Sequence, residues 1–142
     1  MITVAGILRN KSNEVFSVAP DTTVFDAIKL MSEKNIGALP IIENGEMCGI
    51  FSERDYARKI VLLNRKSQET AVKEIMTSTV ITVSPATLLD ECMGLMSSKK
   101  IRHLPVLENG SLVGIISIGD VVTAIIKAQK ETIDHLHNYI TQ

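Results

Sequence analysis

Two short stretches of the 142-residue chain repeat one spacing of a hydroxyl and a carboxylate: GIFSERD, Gly49 to Asp55, and GIISIGD, Gly114 to Asp120. Ser52-x-x-Asp55 and Ser117-x-x-Asp120 both have the form of a capping box, in which the hydroxyl and the carboxylate satisfy free N–H groups at a helix start. The same arrangement can serve a ligand. A preceding glycine lets a ligand approach the backbone, and a helix N-terminus favours an anion. A carboxylate offers about four lone-pair sites, enough to accept from two neighbouring hydroxyls. The two uses are compatible, so both stretches are candidate sites.

The surroundings of these pairs are duplicated as well. Sliding the chain by 65 positions aligns Val15 to Ile60 with Val80 to Ile125 without a gap, and about 19 of the 46 pairs are identical. Two copies are too few for a solenoid, so a pseudo-symmetric pair that closes on itself is expected. Each copy opens on a β-branched run, VFSV or VITV, followed by Pro20 or Pro85. Helical spacing comes next, through Val24, Ala27, Ile28 and Met31 or through Leu89, Cys92, Met93 and Met96, with Thr22 and Thr87 as expected caps. Two apolar runs joined by Glu-Asn-Gly then predict a hairpin, because Asn and Gly both tolerate positive φ. A second helix follows, with Tyr56, Ala57 and Ile60 or Val121, Val122 and Ile125 on its apolar face. Each unit therefore reads β-α-β-β-α.

The polar stretch Asn64 to Glu74 separates the copies and divides the chain into 1–70 and 71–142. The last helix continues through Ile126, Gln129, Ile133, Leu136 and Ile140, an apolar face larger than a solvated tail needs.

Differences between the copies are as informative as identities. Gly37-Ala38 in the first becomes Arg102-His103 in the second, and Glu53-Arg54 becomes Ile118-Gly119. Two guanidiniums and an imidazole suit phosphate, since arginine's planar fork matches its oxygens and keeps its charge. Arg58, one turn beyond Arg54, can join them. Each of these arginines is equally a solvated surface cation on sequence grounds.

Composition narrows the classes. A formal charge of −1, from 15 basic and 16 acidic residues, gives no broad footprint for nucleic acid. Tryptophan is absent and aromatics are 4%, a poor supply for base stacking. Cys48 and Cys92 lack metal-ligand spacing and fit a reducing compartment. His135 and His137, two apart on a helix, face away from each other, so no metal site is expected. No basic leader or continuous apolar span is evident, and a cytoplasmic protein that spans no membrane is the expectation. Phosphate-loop, zinc-protease and nucleophile-elbow motifs are missing, and no serine has an evident histidine base.

The gap-free pair, with Leu-Pro, Asn-Gly and a terminal G-I-x-S-x-x-D in each copy, resembles a tandem CBS-domain pair, named for cystathionine β-synthase. The resemblance covers nearly everything from Val15 to Ile125 and implies an α/β (α+β) fold of two β-α-β-β-α repeats packed through their sheets, here with a C-terminal helical extension. It further implies a cleft for an adenosine-containing ligand such as AMP, ADP, ATP, NAD or S-adenosylmethionine, a homodimer, and regulation of an enzyme or transporter in trans by a stand-alone member.

By that resemblance Asp55 and Asp120 grip ribose, with Ser52 and Ser117 beside them, and basic residues just before Leu-Pro contact phosphates. The more complete site is expected to join Asp120 and Ser117 to Arg102, His103 and a reaching Arg54. Thr77, Val80, Val83, Leu104 and Pro105 are candidate adenine neighbours, with Ser17, Val18, Leu39 and Pro40 as first-copy counterparts. The expected function is a nucleotide sensor rather than an enzyme; a cryptic nucleotide-processing enzyme and a ligand-free dimeric scaffold are the alternatives.

Overall fold

The computed structural model describes residues 1–11 and 14–141. Helix α1 (Val4–Arg9) and helix α2 (Val24–Lys34) lead into a hairpin of β1 (Ala38–Glu43) and β2 (Glu46–Ser52). A short α3 (Glu53–Asp55) runs directly into a π-helical stretch, Tyr56–Val61. After two 3-10 turns at Ser67–Glu69 and Val72–Glu74, the pattern repeats as α4 (Leu89–Lys99), β3 (His103–Glu108), β4 (Ser111–Ser117) and α5 (Ile118–Thr141).

Both hairpins turn where Asn-Gly predicts. Asn44 and Gly45 take φ of 53° and 80°, and Asn109 and Gly110 take 52° and 80°, the paired left-handed conformations of a two-residue turn. The β-branched runs, expected as strands, are reduced to one bridging residue each. Val18 donates to the Pro40 carbonyl and accepts from Ile42 N–H, and Val83 does the same with Pro105 and Leu107. Pro20 and Pro85 follow two residues later and lack the N–H that a longer ladder needs.

The expected caps are also displaced. Thr23, not Thr22, accepts from Asp26 N–H at the start of α2. Leu88 stands at the cap of α4, while Thr87 Oγ1 accepts from Ser84 N–H in the preceding turn. Among the residues predicted to face inward, Met93, Ala57 and Val122 are exposed.

Two apolar cores result, and each borrows a segment from outside its own repeat. Val72 and Ile75, in the stretch that reads as a connector, are buried with Val24, Leu39 and Phe51 of the first repeat. Val4 and Ile7 of α1 are buried with Leu89, Leu104 and Ile116 of the second. Matching hydrogen bonds hold both segments: Val72 N–H to Thr22 and Val24 N–H to Thr70, against Val4 N–H to Thr87 and Leu89 N–H to Ile2. These equivalent positions are 68 apart rather than 65, so the segment preceding each repeat is itself duplicated with a three-residue offset. Division of the chain at residue 70 therefore orders the repeats without separating the cores. Strands β2 and β4 meet where the repeats face each other.

Candidate functional site

Two clefts lie along this pseudo-symmetric junction, one of about 690 Å³ containing Asp55 and one of about 340 Å³ containing Asp120. The serine-aspartate pairs do form helix-start boxes. Ser52 N–H and Oγ–H donate to Asp55 Oδ2 at 3.0 and 3.1 Å, and Asp55 N–H donates to Ser52 Oγ. In the second copy Ser117 N–H donates to Asp120 Oδ2 at 2.8 Å, and Asp120 N–H donates to Ser117 Oγ at 3.2 Å.

A lysine holds each carboxylate. Lys59, one turn along from Asp55, lies 3.1 Å from its Oδ1 and also donates to the Ile75 carbonyl. Thr77 Oγ–H reaches the same Oδ1 at 3.4 Å. Position 124, the copy-two equivalent of Lys59, is alanine, and the cation at Asp120 comes instead from Lys11 beyond α1. Lys11 Nζ donates to Asp120 Oδ2 and to the Ile115 carbonyl, both at 2.8 Å. Burial opposes the charge on Asp120, yet the hydrogen bonds from Lys11 and Ser117 hold its carboxyl below the ordinary range.

The sites are assembled crosswise, which overturns the expected grouping. Ile118 N–H donates to the Arg102 carbonyl and Glu53 N–H to the Gly37 carbonyl, so each pre-Leu-Pro segment lies against the helix start of its own copy. Across the junction the same segments meet the other copy's carboxylate. Lys99, Lys100 and Arg102 of the second repeat line the Asp55 cleft together with Arg54, Arg58 and Lys59 of the first. Ile36, Gly37 and Ala38 of the first repeat line the Asp120 cleft. Arg102 and Arg54 thus accompany Asp55 and Ser52, not Asp120 and Ser117.

His103 lines both clefts, its ring over Gly37. A Cβ at Gly37 would stand 3.1 Å from His103 Nε2 and 3.0 Å from Glu53 Oε1, so the small residue in copy one makes room for the imidazole in copy two. Burial pushes this imidazole below its ordinary pKa, against the pull of Glu53 and Asp120 toward the charged form. Arg54 already has a partner: its Nη1 donates to the carbonyl of Lys100, the left-handed residue that ends α4. That bond ties the repeats together and sets the guanidinium at the rim.

Of the expected adenine neighbours, Thr77 and Val80 line the Asp55 cleft beside Ile50, Thr79 and Ile81. Val83, Leu104, Pro105, Leu39 and Pro40 are core residues, and Val18 packs against the first core. None of them, nor Ser17, lines either cleft. Val15 and Phe16, equivalent to Val80 and Ile81, take that place in the Asp120 cleft with Leu8. Sequence reasoning also passed over Lys11, Lys59, Lys99 and Lys100. The last two stand in the run KKIRH, directly before Arg102, where basic residues are ordinary at a helix end and so carry no signal of a cleft.

His135 and His137 are exposed on α5, and among the described residues no group of His, Cys, Asp or Glu is placed to hold a metal. No helix among those residues is long and apolar enough to cross a membrane.

The CBS-domain family model matches residues 4–62 and 72–127. A mitochondrial CBS domain-containing protein of Arabidopsis thaliana is 43% identical over 125 residues, 84% of this chain and 61% of that protein. The chain thus spans less than two thirds of that relative. The solved structure of a protein with CBS domains from Burkholderia ambifaria superposes with a TM-score of 0.87 at 50% identity, covering 89% of this chain and 96% of the other. A CBS domain pair solved in complex with 5′-methylthioadenosine and S-adenosyl-L-methionine gives a TM-score of 0.79 at 27% identity, covering 91% of this chain and 98% of that one.

Proposed function

Since the chain belongs to the CBS-domain family, as a tandem pair of repeats, we propose that it senses a phosphorylated adenosine ligand in the Asp55 cleft. Tandem CBS pairs are regulatory, ligand-binding modules, and occupancy here acts by shifting the shape or self-association that a partner enzyme or transporter reads. A ligand drives such a shift only through its different affinity for the two states.

The observation that carries this reading is charge. The Asp55 cleft gathers six cationic side chains against two carboxylates in a chain whose net charge is −1. At about 690 Å³ it falls within the range of small-molecule sites. Asp55 accepts from ribose hydroxyls that displace the long 3.4 Å contact of Thr77 at its Oδ1. Arg102, Arg58 and the lysines at the end of α4 take the phosphates, and Ile50, Val80 and Ile81 flank the base. AMP, ATP and NAD fit this chemistry. The Asp120 cleft, half the volume and with Lys11 matched against Asp120, suits a nucleoside without phosphate. The related pair bound to 5′-methylthioadenosine and S-adenosyl-L-methionine supports an adenosine-type ligand.

Calorimetric titration with ATP, AMP, NAD, S-adenosylmethionine and adenosine tests the assignment. Hydrogen bonds to a charged group contribute about 1.5–3 kcal/mol, so Asp55→Ala is expected to weaken every ribose ligand roughly ten- to a hundredfold. Arg102→Ala should penalise the phosphorylated ligands and spare adenosine. Equal losses for ATP and adenosine on Arg102→Ala would refute the roles given. Nucleotide recovered unchanged after incubation separates a sensor from a nucleotide-processing enzyme.

A further inference from the structure

Helix α5 is longer than its own body can cover. Ile125 still packs on the second core, but every residue from Gln129 to Thr141 is exposed. The sixteen residues after Ile125 project about 24 Å at 1.5 Å per residue. A solvated helix of that length is marginal by itself.

Along it Val122, Ile126, Gln129, Ile133, Leu136 and Ile140 recur at alternating steps of four and three. That is the a/d seam of a heptad, with Ile126, Ile133 and Ile140 at a and Val122, Gln129 and Leu136 at d. The apolar members are 48% to 79% exposed.

We propose that α5 pairs with α5 of a second copy as a parallel, in-register, two-stranded coiled coil in which the two Gln129 side chains meet. The occupant follows from the seam itself. Isoleucine fills all three a positions and Leu136 one of the three d positions, an a/d choice that leans toward two strands, and a polar residue at one core position specifies register. In a parallel pair like-numbered residues face each other, so each Gln129 amide donates to and accepts from its counterpart.

In an antiparallel pair a faces d. The register that covers all six positions then sets Gln129 against Ile133 and buries an amide without a partner, a costly arrangement. A wholly apolar groove on another protein would have the same fault. The flanking positions Thr123, Ile125, Lys130, Thr132, His137 and Tyr139 include one fixed charge, so nothing repels a second copy.

Area agrees. At about 60–120 Å² per buried apolar side chain, the exposed parts of the five apolar seam residues and Tyr139 supply roughly 200–500 Å² per chain. The apolar share of a standard interface, with about 800 Å² per partner, is about 450–500 Å². This pairing stands independently of the ligand assigned to the clefts.

The test uses the full chain. Sedimentation equilibrium should give a two-chain mass, and Ile133→Asp should weaken association at least tenfold while the thermal unfolding of the body persists. In a Cys48→Ser background, Ile133→Cys should oxidise to a disulfide-linked dimer, because a parallel pair brings the two positions within disulfide reach. Mixing Gln129→Cys with Ile133→Cys chains should yield only the like-with-like products. A one-chain mass for the native protein, association unchanged by Ile133→Asp, or a crosslink formed chiefly between positions 129 and 133 would overturn the proposal.

Discussion

Replacing Lys11 with methionine isolates the cation that holds Asp120. Lys11 Nζ and Asp120 Oδ2 are 2.8 Å apart, with the side chains 32% and 22% exposed. Exposed ion pairs contribute about 0–1 kcal/mol and hydrogen bonds to charged groups about 1.5–3 kcal/mol. At this partial burial the expected loss is about 1–2 kcal/mol at neutral pH, since methionine keeps the apolar stem in place. The pH dependence identifies the cause.

Burial alone would raise the Asp120 carboxyl; the bonds from Lys11 and Ser117 bring it below its ordinary value. A carboxyl whose folded pKa is depressed contributes stability above its unfolded value, about 3.9, and loses it as pH falls through the folded pKa. Removing Lys11 leaves burial opposed mainly by Ser117, so that contribution shrinks. Urea unfolding of both proteins, from pH 7 down to about pH 2, should show a gap that is widest at neutral pH and closes as Asp120 takes its proton. A gap of constant size across the whole range would refute the reasoning, because it would assign the loss to packing rather than to the ion pair.

Two further outcomes follow from the crosswise build. Ile7→Ala should destabilise the protein by about 2–5 kcal/mol, the cost of a large-to-small change in a well-packed core, and hydrogen exchange should locate the loss in the second repeat, where Ile7 is buried with Leu89 and Ile116; weakened protection confined to the first repeat would contradict the segment exchange. His103, held neutral by burial, should take up a proton when phosphate enters the Asp55 cleft, so affinity for ATP should rise as pH falls toward its lowered folded pKa. Adenosine affinity should stay flat and His103→Gln should remove the slope, as read by calorimetry across pH; without ligand, the same depressed pKa makes stability fall as pH drops below about 6.5.

The hairpins and their turns were legible because Asn-Gly acts locally and admits one backbone geometry. The helices were legible because their apolar spacing and their burial share one period. What the sequence concealed is non-local. The VFSV and VITV runs have strand composition, but only Val18 and Val83 find a ladder partner, and that depends on where β1 and β3 come to lie. Likewise Val72 and Ile75 sit among lysines and glutamates, so a connector and a core segment look alike until the first repeat is placed beneath them.

The candidate sites show the same limit in a sharper form. Both carboxylates and the three arginines could be named from types and spacing, though not the four lysines, and they were grouped by neighbourhood in the chain, which linked Arg102 with Asp120. A junction between two like repeats exchanges neighbours: what stands just before Leu-Pro in one copy lines the cleft that holds the other copy's carboxylate. Substitution of Gly37-Ala38 by Arg102-His103 therefore enriches the first repeat's cleft and leaves the second's without cations of that origin. The duplication that made the fold readable also made the sites unequal, because a change in either copy is felt at the opposite one. Lys11 fits that logic, since a cation missing from position 124 of the second repeat is supplied by the segment that crosses over to complete its core.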